Sequence, residues 1–257
     1  MSIVNPTGNA DIDGILWGYR WDSTSLTYAF PTTFTNYGGY TSVNGFQAFN
    51  ATQQAAVVRI LQNISSFSNL TFTPGSGASS ILRYAEANSI DIGGGSISID
   101  TARGHPPDPS FIPGFAQGDM FFNSRDYNSP ILDSFAYAAG VMHETGHALG
   151  LKHGHSAQVG HGVTFPTLRA NHNSYEYSVM TCSQYVGDSP SSGDDAVNHP
   201  TTYMQDDIAT LQYMYGICMA RTSIRTAGTR STRGTPPPAK CLSMASAKGP
   251  LPPARCS

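Results

Sequence analysis

Thirteen residues near the middle of the chain, Val141 to His153, restrict its fold more than any other stretch; they read Val-Met-His-Glu-Thr-Gly-His-Ala-Leu-Gly-Leu-Lys-His. On a helix, His143 and His147 stand one turn apart on one face, so both imidazoles can reach a single point. Glu144 follows His143 about 100° further round the axis. Gly150 supplies a residue that takes the left-handed conformation, ends a helix and turns the chain sharply. That reversal brings His153 back toward the other two rings. The chain must therefore hold a helix, a glycine turn and a return segment in one arrangement. The alternative is a helix with scattered core or surface histidines. Three histidines, a glutamate and a glycine at this spacing arise by chance in a chain of this length on the order of once in 10^5.

Three neutral imidazoles with a fourth position open are the ligand set of a catalytic zinc. Zinc lowers the pKa of bound water to about 7, and Glu144 is placed to take a proton from that water and pass it to a leaving group. His143, His147 and His153 are thus the metal candidates for one Zn2+, and Glu144 the catalytic one.

At this point the chain resembles a known family. His143-Glu144-x-x-His147-x-x-Gly150-x-x-His153 is similar to the metzincin zinc signature. Tyr177-Ser178-Val179-Met180-Thr181 resembles the methionine turn that follows it. Asp206 to Gly216 is similar to the closing helix shared by serralysins and matrix metalloproteinases, and Asp13 to Trp21 leans toward serralysins. The resemblance runs from residue 11 to Gly216. It implies one zinc endopeptidase domain over 1–216, of α/β (α+β) class, with a twisted mixed sheet, two main helices and a C-terminal helix. It also implies protein or peptide substrates, a monomer, secretion to the extracellular space, and Met180 as an apolar support beneath the histidines. Calcium occurs in the family, although this chain carries no calcium repeats. The family places the strand just before the zinc helix, here Asp119-Met120-Phe121-Phe122, at the sheet edge against extended substrate; an ordinary core strand is the alternative.

One residue departs from the family. Serralysins carry a tyrosine two residues after the turn methionine, which hydrogen-bonds the reaction's oxyanion; here that position is Cys182. Cysteine is too short for the same part, and Tyr185 lies three residues further on. A second function class follows: a zinc-bound, catalytically impaired binding module, favoured by Cys182 and opposed by the intact Glu144.

Charge excludes other classes. Residues 1 to 215 hold all 17 acids and 7 of the 14 bases, an acidic body with no nucleic-acid footprint. No apolar run is long enough for a membrane span, and Met1 to Asn9 lacks the basic and apolar regions of a Sec-type signal. Only Cys182 lies in the body, so no internal disulfide is expected there. Residues 217–257, with 7 bases and no acid, read as a basic low-complexity tail, expected to be disordered and compatible with translation out of frame.

Along the chain, residues 1 to 13 read as loose. Leu26 to Phe30 alternates as a strand stopped by Pro31. Asn50 caps a helix running to Ser65, with Gln53 three residues on. Leu70–Phe72, Ile81–Ala85 and Ile97–Ile99 read as strands, the second of them central. A helix between strands predicts a mixed sheet with a crossover. Residues 102–117 read as a surface loop and 155–176 as a long irregular one, in which His155 and His161 are expected to be solvated. Asp133 or Ser134 is the expected cap of the zinc helix, with Phe135, Ala138, Val141 and Met142 on its apolar face.

Overall fold

The computed structural model describes residues 1–110, 112–127, 140–188 and 199–218. The cap at Asp133 or Ser134, Phe135, Ala138 and the tail from 219 onward lie outside these residues.

The N-terminus is ordered rather than loose. Strand β1 (Ser2–Ile3) pairs with β2 (Tyr19–Arg20), and α1 (Ala10–Asp13) lies between them. The buried Asp13 carboxylate accepts from the Thr7 N–H (2.7 Å), the Thr7 hydroxyl (2.8 Å) and the Gly8 N–H (2.9 Å). One carboxylate satisfying three donors holds a polar segment that has no apolar pattern of its own.

The main sheet begins with β3 (Ser25–Ala29), close to its predicted position. Strands β4 (Ser42–Asn44) and β5 (Gln47–Ala48) follow, then helix α2 (Ala51–Phe67). The helix starts where predicted because Asn50 Oδ1 accepts from the Gln53 N–H (3.0 Å) while Gln53 Oε1 accepts from the Asn50 N–H (2.6 Å). Val57, Ile60, Leu61 and Ile64 form its buried stripe. The helix crosses to β6 (Thr71–Pro74), which pairs with β3 in parallel, the crossover the helix-between-strands order predicts.

Next come β7 (Leu82–Glu86), β8 (Ser89–Asp91), β9 (Ser96–Ser98), β10 (Ala102–Gly104), β11 (Asp119–Phe122) and α3 (Ser124–Tyr127). The described part of the helix that carries His143 and His147 is α4 (His143–Ala148); the hairpin β12 (Gln158–Gly160) and β13 (Val163–Phe165) and helix α5 (Gln205–Tyr215) complete the order. The fold is mixed α/β. The sheet runs β10-β11-β7-β3-β6, with β5 also paired to β7, while β4, β8 and β9 form a separate antiparallel sheet. β11, β7, β3 and β6 are parallel and β10 is antiparallel.

Period-two alternation distributes β7 and β11 between two cores. Leu82, Tyr84, Met120 and Phe122 face α2, Val141, Met142 and Ala148; Ala85 and Phe121 face Tyr37, Tyr40, Ile90 and Ile99 on the other side. Both faces of these strands are covered, so the charges of Arg83 and Asp119 are buried as a pair. This packing also corrects the expected substrate edge. Asp119, Met120, Phe121 and Phe122 are fully buried and paired on both sides, to β7 and to β10. Asp119 further accepts a two-pronged ion pair from the Arg83 guanidinium (2.5 and 2.8 Å). The edge is β10, inside the stretch expected to be a loop. Three residues are too few to show a period, and the prolines beyond them mask the strand.

The loop expected over 155–176 likewise contains the β12–β13 hairpin. The boundary expected at 216 is passed by two residues: Ile217 bridges Ser68, and the Cys218 N–H donates to the Phe67 carbonyl (3.2 Å). Among the described residues no helix is long and apolar enough to cross a membrane.

Candidate metal centre

The three predicted histidines meet. His143 pairs through Nδ1 with the Val179 carbonyl (2.8 Å), and His147 through Nδ1 with the Leu151 carbonyl (2.9 Å). A carbonyl only accepts, so each Nδ1 carries the proton and each Nε2 keeps its lone pair. Those Nε2 atoms converge: His153 Nε2 lies 3.1 Å from that of His147 and 3.0 Å from that of His143. Tetrahedral zinc with bonds of 2.0–2.1 Å sets its nitrogens about 3.3 Å apart. Lone pairs facing one another at this distance repel unless a cation lies among them, so the donor set fits zinc. Burial, then His153 and His143, hold the His147 pKa well below its usual value. Burial, then His143, push that of His153 down to about 3. Neutral imidazole is the form that ligates.

Remote segments hold this geometry. Gly150 sits at φ 102°, the left-handed turn predicted for it. The returning strand is pinned by residues 15–17: the Trp17 N–H donates to the Gly150 carbonyl (2.9 Å), Leu16 bridges Leu151, and the Lys152 N–H donates to the Ile15 carbonyl (2.8 Å). The buried Lys152 ammonium adds bonds to the carbonyls of Gly14, Ser156 and His153. The Trp17 indole stands edge-on to His147 at 6.3 Å and donates to Asp108 Oδ2 (2.7 Å). Met180 is fully buried beneath α4, and a β-carbon at Gly146 would lie 2.7 Å from its sulfur. Only glycine at that position lets the turn approach the helix.

The turn is clamped from α5. The fully buried Asp207 accepts from the Ser178 hydroxyl (2.6 Å), the Val179 N–H (2.9 Å) and the Met204 N–H (2.9 Å). The Val179 carbonyl is the partner of His143, so Asp207 orients that imidazole through one residue, Val179. An Asp207→Ala protein strands three buried donors, each costing about 1–3 kcal/mol. Its denaturant midpoint is expected to correspond to a loss of roughly 3 kcal/mol or more, and its zinc affinity to fall about 10–100-fold. A carboxylate three residues into a helix is a capping-box position, the signal from which this clamp is readable.

Glu144 lies beside the histidines, 7% exposed, and the Gly104 N–H of β10 donates to its carboxylate. Burial raises its pKa, opposed first by His143 and then by the Gly104 N–H and Arg103. A raised carboxyl pKa suits a group that must both take and give a proton near neutral pH.

Cys182 is half-buried and bonded to His155, which raises the His155 pKa; the His155 ring stacks on His153 at 5.0 Å. Tyr185 is 59% exposed, and among the described residues its phenol makes no hydrogen bond or ring contact. His161 is not a solvated loop histidine: its Nε2 pairs with the Val4 carbonyl (2.9 Å) and its ring packs on Tyr19. A second group with ligand-like spacing, Asp11, His172 and Asp206, already holds the Arg169 guanidinium against Asp11, with His172 on Asp206 (2.8 Å), and serves as an ion-pair tie between α1 and α5.

No family model matches the chain. It is similar to Serralysin A of Dickeya chrysanthemi, 30% identical over 176 residues covering 68% of this chain and 35% of that protein. Serralysin C of the same organism is 28% identical over 177 residues, 68% of this chain and 36% of that protein. Metallopeptidase AprA of Pseudomonas marginalis is 26% identical over 206 residues, 75% of this chain and 39% of that protein. The chain is serralysin-like. It spans a little over a third of the length of these curated relatives, 35–39%.

Proposed function

We propose that this chain is a zinc-dependent endopeptidase domain with Glu144 as general base and acid. The observation that carries the reading is the convergence of three Nε2 atoms beside a buried carboxylate. The similarity to proteins named serralysin and metallopeptidase supports it independently. His143, His147 and His153 hold the metal. Zinc bound there supplies a Lewis acid that polarises the scissile carbonyl and makes water acidic enough to attack. Glu144 takes the proton from the attacking water and delivers it to the departing amine. Extended substrate lies along β10, where the Ala102 backbone groups and the Gly104 carbonyl face away from β11, and pairs with them in any sequence context. Met180 supports the histidines from below. The domain acts on protein or peptide substrates as a monomer outside the cell, an assignment resting on the resemblance alone.

The test is hydrolysis of a quenched fluorescent peptide by folded, zinc-loaded protein, abolished by a chelator and restored by zinc. Cys182 favours the second reading, a zinc-bound module with little turnover. Cys182→Tyr separates the two, because it returns a hydroxyl to the oxyanion side. One oxyanion donor contributes about 10²–10³ in rate, so Cys182→Tyr is expected to raise kcat toward that factor with zinc affinity little changed. A parent and a Cys182→Tyr protein that both hold zinc and both leave peptides intact would put the binding module first.

A further inference from the structure

The outer strand of the sheet carries a cation that forms no ion pair among the described residues. Arg103 is half-buried in the middle of β10, and among the described residues no carboxylate forms an ion pair with it. Its Nε donates to His105 Nε2 (3.3 Å). His105 is fully buried against Phe121 and Tyr40, and burial, reinforced by Arg103, keeps it neutral with a pKa of about 3. A neutral imidazole that accepts from the guanidinium fixes its direction while leaving its charge unbalanced. That charge reaches the reaction centre, where it lowers the pKa of both Glu144 and His147.

Strand geometry says what such a cation meets. The His105 N–H donates to the Asp119 carbonyl (2.9 Å), so its backbone faces β11. Two residues back, Arg103 faces the same way, opposite Phe121. Gly104 alternates with them, and its N–H points out to Glu144. An antiparallel peptide added to the open side therefore bonds to Ala102 and to the Gly104 carbonyl, the Gly104 N–H being held by Glu144, and leaves its residue opposite Arg103 in a non-hydrogen-bonded pair. Such pairs have the closer Cα separation, about 4.5 Å, and set both side chains on the same face.

We propose that Arg103 is a specificity-determining residue that selects peptides with an aspartate or glutamate at the position in register with it. This rests on the peptidase reading and on β10 as the substrate strand. The body as a whole is acidic, with 17 acids against 7 bases up to residue 215. General electrostatics therefore disfavours acidic peptides, and the preference is local to one position.

The test compares the zinc-loaded full chain with its Arg103→Gln and Arg103→Glu variants on a peptide series. Aspartate, asparagine or lysine is placed in turn at each position flanking the cleaved bond. At one position the parent is expected to favour aspartate over asparagine by about fivefold in kcat/KM, the upper range for a cross-strand charge pair. Arg103→Gln loses that preference and Arg103→Glu turns it toward lysine, each read as the ratio of kcat/KM between peptides within one protein. A second arm measures anisotropy of the same peptides on zinc-loaded Glu144→Gln protein with and without Arg103→Gln, and so reads selection without turnover. Acid selection in binding with no cleavage by the parent leaves Arg103 in place and removes the peptidase reading. Cleavage that is indifferent to charge at every position overturns the inference. So does an Arg103→Gln protein that aggregates but keeps the parent's preferences, since Arg103 is then a guard on an open strand edge.

Discussion

Glu144→Ala protein is expected to bind zinc as the parent does and to cleave peptides roughly 10²–10⁴-fold more slowly, the usual contribution of a general acid–base group. The division follows from the geometry. The three Nε2 atoms that face one another belong to His143, His147 and His153, and the Glu144 carboxylate lies beside them on the Gly104 N–H instead of among them. Removing it takes away the proton carrier and leaves the ligands with their Nδ1 bonds to Val179 and Leu151. Single-turnover assays on protein of verified zinc content measure the effect. A Glu144→Ala protein as fast as the parent would falsify the assigned role.

Alanine at His143, His147 or His153 acts on the metal itself. Apparent binding free energies of structural zinc sites are about 10–16 kcal/mol over four ligands. One imidazole is then worth roughly 2.5–4 kcal/mol, and each variant is expected to lose about 10²–10³-fold in zinc affinity. Competition with a chromophoric chelator reads this directly. Added zinc raises the melting temperature of the parent by mass action, and that gain shrinks in all three variants. Unchanged stoichiometry and affinity across the set would remove the site. The three are not equal in the apo fold. His143 and His147 are buried and tied to carbonyls, whereas His153 is half-buried at the end of the return segment. His153→Ala is therefore the variant expected to disturb folding least and report metal binding most cleanly.

The sequence by itself determined what depends on short spacing. Two histidines four residues apart on a helix, a glycine that turns the chain and a third histidine three residues later aim three rings at one point, which the surrounding segments then hold. The Asn50–Gln53 cap, the α2 stripe and the central place of β7 are local in the same sense, each written within one or two turns or a few alternating residues. Only the tertiary structure decided which strand lies at the edge. β11 has every local mark of a strand, but β10 packs outside it, and the register Arg103↔Phe121 depends on residues 105–118 folding back between them. The same holds for Asp207 acting on His143 through Val179, across a separation of 28 residues, and for the Trp17–Asp108 bond, across 91. Cys182 beside His155 is another such pair. Contacts of this kind form when packed elements bring distant segments together, and no periodicity within either segment encodes the partner. The candidate metal-ligand set is therefore legible from thirteen consecutive residues, Val141 to His153, while the groups that aim it and the cation on the sheet's open edge become visible only once the sheet is assembled.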